Sequence, residues 1–215
     1  TKTHTAAHSL LGIINDILDF SKIEAGKMEI ESIPFSLEEV MYNLASIVTI
    51  KTREKHIEFL ISTANDVPPG LVGDSLRLSQ VLLNLANNAI KFTEQGEVIV
   101  KTELESLNEG RATLRFSVQD TGIGMTEEQQ SRLFQAFSQA DSSTTRKFGG
   151  TGLGLTISKS LVEMMEGEIG VESESGVGST FYFTAIFGVH DAQESKKQLM
   201  PEQLNDLRVL VVDDS

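Results

Sequence analysis

Asn84-Leu85-Ala86-Asn87-Asn88-Ala89-Ile90-Lys91-Phe92 is the most informative run of the chain. It closes a segment, from about Asp74 to Phe92, in which Leu78, Val81, Leu82, Leu85, Ala89 and Ile90 recur at helical spacing. A helix that is apolar almost all round is expected there. Gln80, Asn84, Asn88 and Lys91, spaced i, i+4, i+8 and i+11, lay a polar stripe along one of its faces. Asn is a poor helix former, so aligning such residues in a core helix has a local cost. A buried polar stripe must also find hydrogen-bond partners. Amide oxygens suit Mg²⁺, which keeps most of its waters and takes the rest of its shell from phosphates. Lys91, one turn on, would meet those phosphates as a point charge. For this helix alone, an ordinary solvent-facing stripe is the competing reading.

Upstream, Ile33-Pro34 marks a break, and Ser36-Leu37-Glu38-Glu39 is a capping box opening a helix to about Lys55. Ile57 to Ser62 reads as a buried strand closed by the turn Asp66-Val67-Pro68-Pro69-Gly70. Further back, Leu10, Ile13, Ile17 and Phe20, with Leu11, Ile14 and Leu18 beside them, make one long amphipathic helix. Its stripe is too wide for a helix facing water and calls for a partner, either a second copy or a preceding helix outside this chain. Downstream, strands over Glu97–Leu107 and Arg111–Gln119 flank the hairpin turn Asn108-Glu109-Gly110. A loop-rich stretch to Gly150 holds a short helix opening at the box Thr126–Gln129, and a longer helix is expected over Thr151–Met165. Strands follow at Glu168–Ser173 and Thr180–Phe187, then a polar linker and an apolar strand over Arg208–Asp214. The fold class implied is α+β: a mixed sheet with helices on one face, in two layers.

The 215 residues include 18 basic and 31 acidic side chains, a net charge of −13. That balance argues against a nucleic-acid or anionic-membrane surface as main partner. The absence of cysteine excludes a disulfide scaffold, a thiolate metal site and a Cys nucleophile, and suits a reducing cytosol. No apolar run approaches the roughly 18 residues that cross a bilayer.

Two glycine-rich turns accompany the polar helix. Asp120-Thr121-Gly122-Ile123-Gly124 follows a strand, so its carboxylate could accept from an exocyclic amine such as that of adenine, while Gly122 and Gly124 let the backbone approach a ligand. Gly149-Gly150-Thr151-Gly152-Leu153-Gly154 leads into a helix, a junction whose free N–H groups suit an anion. It is neither a Walker loop nor a dinucleotide fingerprint. Arg146 and Lys147, just before it, would make a cationic flap for a terminal phosphate.

These motifs, in this order, resemble those of sensor histidine kinases. Asn84–Phe92 resembles their N box, Asp120–Gly124 the G1 box, Leu133-Phe134-Gln135-Ala136-Phe137 the F box and Gly150–Leu155 the G2 box. Gly176-Val177-Gly178-Ser179-Thr180-Phe181 is similar to the closing glycine motif. The resemblance implies the Bergerat nucleotide fold over residues 33–188, with ATP and Mg²⁺ as cofactors. It implies Asn88 as the metal ligand, Asn84 and Lys91 on the phosphate side, Asp120 on the adenine amino group and Phe92 beside the nucleotide. Gly122, Gly124, Gly150, Thr151, Gly152, Leu153, Gly154, Thr180, Arg146 and Lys147 complete the implied site.

Both ends are similar to the same family. Ser9 to Lys27 resembles the second helix of a dimerisation and phosphoacceptor hairpin, within residues 1–32. Residues 189–206 read as a linker, and 207–215, ending in Asp213-Asp214, resemble the first strand of a receiver domain, which points to a hybrid kinase. The implied partners are an acceptor His on a hairpin and a receiver domain or response regulator, and the intact parent would be a homodimer, with anchoring in the inner membrane an open option. None of His4, His8, His56 and His190 lies in an acceptor motif, so no catalytic residue is assigned and autophosphorylation of this chain alone is not expected. Two other functions fit the same fold: an ATPase of the gyrase or chaperone kind, and a non-catalytic nucleotide-binding scaffold.

Overall fold

The computed structural model describes residues 2–134 and 152–190, with the side chains of 2–9 and 13 excepted. Helix α1 (Lys2–Glu24) leads through an extended segment into β1 (Ile33–Ser36), α2 (Leu37–Lys55), β2 (Ile57–Thr63) and β3 (Gly70–Gly73). Then come α3 (Ser75–Phe92), β4 (Gly96–Asn108), β5 (Arg111–Asp120) and the single turn α4 (Glu127–Gln130). Helix α5 (Gly154–Met164) and strands β6 (Ile169–Glu174) and β7 (Gly178–Val189) complete the described part. The expected linker beyond His190, the receiver-like strand, Gln135-Ala136-Phe137, Arg146, Lys147, Gly150 and Thr151 lie outside the described residues.

The seven strands form one mixed sheet in the order β1-β3-β7-β5-β4-β2, with β6 also paired to β7. Among the described strands only β2 and β4 run parallel. Along β5 the even-numbered residues Ala112 to Asp120 are buried, and their partners on β7, Phe187 to Ser179, are buried with them. That alternation defines the inner face, which α2, α3 and α5 cover. Phe116 and Phe183 stack there with ring centroids 4.8 Å apart, and Phe187 meets Phe116 edge-on. The two-layer α+β architecture is thus the one the sequence implies.

Local chemistry explains the boundaries. Glu39 N donates to Ser36 Oγ at 3.4 Å, the expected cap of α2. Glu109 and Gly110 both have positive φ, and Asn108 pairs with Arg111, as a two-residue hairpin loop requires. Thr126 and Gln129 form the reciprocal box at the start of α4. The sequence reading misses β1 and β3, taking Pro34 as a break and Gly70 as the end of a turn. Each strand has four residues, too few for a period to register, and Pro34 is tolerated because β1 lies at the sheet edge. Helix α5 begins at Gly154 rather than Thr151, because Gly152 has φ +73° and cannot join a right-handed helix.

On α1, Leu10, Leu11, Ile14, Ile17 and Leu18 are exposed, while Phe20 and Ile23 pack against the core. Among the described residues, no helix is long and apolar enough to cross a membrane.

Candidate functional site

Helix α3 carries the site. Asp74 caps it, accepting from Arg77 N at 2.9 Å through one oxygen and from Glu31 N at 3.1 Å through the other. At the far end, Lys55 Nζ donates to the carbonyls of Ile90, Lys91 and Thr93 at 2.6, 3.1 and 3.0 Å, closing the helix terminus with a positive charge. Leu78, Val81, Leu82, Leu85, Ala86, Ala89 and Ile90 are buried, which leaves the polar row half-buried along one side.

The structure divides that row among several tasks. Gln80 Nε2 donates to Asp19 on α1 at 2.9 Å, so Gln80 belongs to a helix junction and not to the site. Asn84 Nδ2 donates to Ser158 on α5 at 2.8 Å. Asn88 is half-buried one turn further on. Lys91 Nζ lies 4.8 Å from the ring centroid of Phe92, and partial burial lowers its pKa by desolvation. Asn87, outside the stripe, accepts from Lys51 Nζ at 2.6 Å. Asn84 and Phe92 are eight positions apart, about 12 Å along the helix axis.

Each end of that span meets a glycine turn. At the C-terminal end, Asp120 closes β5, 5% exposed, and burial pushes its carboxyl pKa up, opposed by the backbone N–H groups of Gly122 and Ser179. Gly122 N donates to Asp120 Oδ1 at 2.9 Å, and Ile123 N donates to Phe92 O at 3.3 Å. The carboxylate is therefore fixed beside the last turn of α3. At the other end, the first turn of α5 leans on Asn84 with no side-chain cap of its own. Its Gly152 and Gly154 leave backbone N–H groups at a helix N-terminus, while the Leu153 side chain is buried in the core.

Several of the expected site residues also have places in the fold. Gly122 and Gly124, expected to let the backbone approach a ligand, lack side chains for a reason internal to the protein as well. A Cβ on Gly122 would stand 2.5 Å from Phe92 O, and one on Gly124 would strike the Glu174 carbonyl. Thr180 pairs with Gln119 and lies on the outer face of the sheet, opposite Asp120. The residue that shares the Asp120 face is Ser179, 8% exposed and directly across the ladder. Alternation from the inward Phe181 and Phe183 would have found it. Finally, the row at α3 does not act as a unit, since Gln80 is taken by α1.

Among the described residues no three His, Asp or Glu side chains gather as a metal cage. The Asn88 amide oxygen is nonetheless a hard donor of the kind Mg²⁺ accepts when phosphates supply further oxygens. The donor set fits that ion only together with a phosphorylated ligand. Two hollows of about 360 and 420 Å³ lie elsewhere, beneath the segment joining α1 to β1 and sharing Met164 as a wall.

Comparison with known proteins bears on this arrangement. Residues 73–187 match the family of histidine kinase-, DNA gyrase B- and HSP90-like ATPases. The sensor histidine kinase GacS of Pseudomonas protegens is 52% identical over 179 residues, covering 83% of this chain and 20% of that protein. Hybrid signal transduction histidine kinase B of Dictyostelium discoideum is 48% identical over 180 residues, covering 84% of this chain and 9% of that protein. The crystal structure of full-length ShkA in complex with AMPPNP superposes with a TM-score of 0.74 at 35% identity, over 86% of this chain and 37% of ShkA. The chain thus spans a fifth or less of these two curated relatives. With more than half of its residues inside the family match, the chain belongs to the histidine kinase-, DNA gyrase B- and HSP90-like ATPases, as the ATP-binding catalytic portion of a hybrid sensor histidine kinase.

Proposed function

We propose that this chain holds Mg·ATP along α3 and delivers the γ-phosphate to a histidine on a dimerisation hairpin, opening a phosphorelay to a receiver domain or response regulator. One observation carries the reading. Asp120, desolvated and anchored to the end of α3, and Asn84, tied to the first turn of α5, bracket Asn88 on a single helix. Asp120 would accept from the adenine amino group, and Phe92 would lie beside the base. Lys91 and the α5 N-terminus would receive phosphate charge. Asn88 would hold Mg²⁺, which when bound neutralises phosphate oxygens. The flap residues Arg146 and Lys147, with Gly150 and Thr151, belong to the same proposal.

The domain assignment is part of it: residues 1–32 as the second hairpin helix, 33–188 as the catalytic domain, 189–206 as linker and 207–215 as the opening of a receiver. Homodimerisation and membrane anchoring would be properties of the longer parent.

Position 84 separates the kinase reading from an ATPase one. Hydrolysis needs a general base one turn before the metal-binding Asn, and an amide accepts no proton. Asn84 is moreover engaged with Ser158. Transfer to a protein histidine is favoured, because such phosphoryl transfer rests mainly on positioning and charge.

Calorimetric titration with Mg·ATP tests binding, and its absence at millimolar nucleotide overturns the proposal. A separately supplied acceptor hairpin, incubated with γ-labelled ATP, tests transfer. A labelled histidine is expected. An unlabelled one with ATP bound points to a scaffold, and rapid hydrolysis by the chain alone points to an ATPase.

A further inference from the structure

Ser158 differs from three other helical serines. Ser21, Ser46 and Ser79 each return their hydroxyl to the carbonyl four residues back, at 2.7, 2.9 and 2.7 Å. Ser158, which closes the first turn of α5, is 2% exposed, and its hydroxyl accepts from Asn84 Nδ2 on another helix at 2.8 Å. A buried hydroxyl spent on a second helix fixes the separation of the two.

The other atom of the same amide adds a second constraint. A Cβ on Gly154 would lie 2.6 Å from Asn84 Oδ1, so Asn84 fills the space a side chain would take there. Gly154 and Ser158 are four apart and share one face of α5. Asn84 thus grips the first turn of α5 at two points, and that turn has no side-chain cap. The α5 N-terminus is thereby set relative to α3 at Asn84, one turn before Asn88.

We propose that Ser158 is a positioning residue for the nucleotide phosphates. It acts through Asn84, which sets the α5 N-terminus against Asn88 and need not touch the nucleotide itself. The inference rests on the Mg·ATP reading above and deepens it. It makes Asn84 the pin between the two phosphate-side elements, and it gives Gly154 a steric reason independent of any ligand. Loss of the pin should weaken contacts to phosphate groups and leave contacts to the adenosine end intact.

The test is a binding series on the full chain with AMP, ADP and a non-hydrolysable ATP analogue, each with Mg²⁺, for wild type, Ser158→Ala and Ser158→Thr. Alanine is smaller than serine and fits the site; circular-dichroism melts follow folding in each variant. Ser158→Ala is expected to weaken the ATP analogue about fivefold, as the loss of one ordinary hydrogen bond implies, ADP less and AMP little. Ser158→Thr, which keeps the hydroxyl, is expected to restore the series. Equal weakening of all three nucleotides by Ser158→Ala, or no weakening, overturns the proposal while wild-type binding stands. Failure of the wild type to bind any of the three overturns the nucleotide reading itself.

Discussion

Arg77 Nη1 stands 3.2 Å from Asp19 Oδ2, and this contact ties the last turns of α1 to the first turn of α3. Gln80 Nε2 donates to the same oxygen at 2.9 Å, and Arg77 Nη1 also donates to Gln80 Oε1 at 2.8 Å. Both charged side chains are less than one-fifth exposed. Their bond therefore escapes most of the screening that makes surface pairs nearly worthless. The junction sits on the same face of α3 that carries Asn84 and Asn88 further along.

Asp19→Ala leaves Arg77 and Gln80 without that acceptor. The expected cost is about 1–2 kcal/mol, concentrated where α1 meets α3. Hydrogen exchange in the last turns of α1 should quicken about tenfold, as a 1.4 kcal/mol loss implies. Exchange in β5 and β7 should stay at the wild-type rate, since the sheet has no part in the junction. Uniform acceleration throughout the chain would contradict this assignment.

Asp120 sets binding against stability. Burial raises its pKa in the folded chain, so the folded state holds its proton to higher pH than the unfolded state does. Where the two differ, the native state binds more protons, and stability falls as pH rises through that window. Above that window the ionised carboxylate carries a desolvation cost. Asp120→Asn keeps an oxygen for the Gly122 N–H and removes the charge. The variant should melt higher than wild type at pH 7, with the difference closing as the pH is lowered below the ordinary Asp range. It should lose affinity for ATP at every pH. A variant that melts lower at pH 7 would show that the carboxylate stabilises the fold.

What could be read from the sequence follows from period and punctuation. Helix α3 was legible because seven buried side chains repeat over 18 residues, and the α4 box and the Glu109-Gly110 hairpin because their chemistry is local. Strands β1 and β3 were not, because their pairing is their only signal. In the site, Asp120 and Asn88 stood out by residue type in an unexpected setting. Ser158 and Ser179 did not, because a serine in a helix or strand is unremarked until its partner is known. Gln80 shows the complementary limit: its spacing puts it on the stripe, but Asp19, 61 residues away, claims it.

Lys55 is the cation that closes α3. Its ammonium is bonded to three carbonyls at the helix C-terminus, where the helix dipole also favours positive charge. Lys55→Met keeps most of the stem and removes the donors. A loss of about 2 kcal/mol in chemical denaturation is expected. Because Phe92 and the Gly122 turn hang on this terminus, nucleotide affinity should fall as well, more than for Lys51→Met, whose ammonium bonds the Asn87 amide oxygen at an exposed position. Equal effects of the two substitutions would remove Lys55 from the site's support.

Gly122 and Gly176 distinguish steric need from conformational need. Gly176 has φ +85° and nothing within 4 Å of an added Cβ, so Gly176→Ala meets only the left-handed backbone cost of about 1–2 kcal/mol. An added Cβ on Gly122 meets Phe92 O at 2.5 Å and Asp120 Oδ1 at 2.8 Å. Neither is the end of a flexible side chain: one is backbone, the other a carboxylate held by the Gly122 N–H itself. Gly122→Ala must therefore push the turn away from α3, breaking the Ile123 N–Phe92 O bond and turning Asp120 out of place. The two variants should be comparably destabilised, at about 1–3 kcal/mol, by denaturant titration. Only Gly122→Ala should also lose nucleotide affinity, by tenfold or more on the loss of one oriented charged contact of about 1.5–3 kcal/mol. If Gly122→Ala bound Mg·ATP as tightly as Gly176→Ala, the Asp120 carboxylate would not be the adenine acceptor, and the base would have to be sought elsewhere along α3.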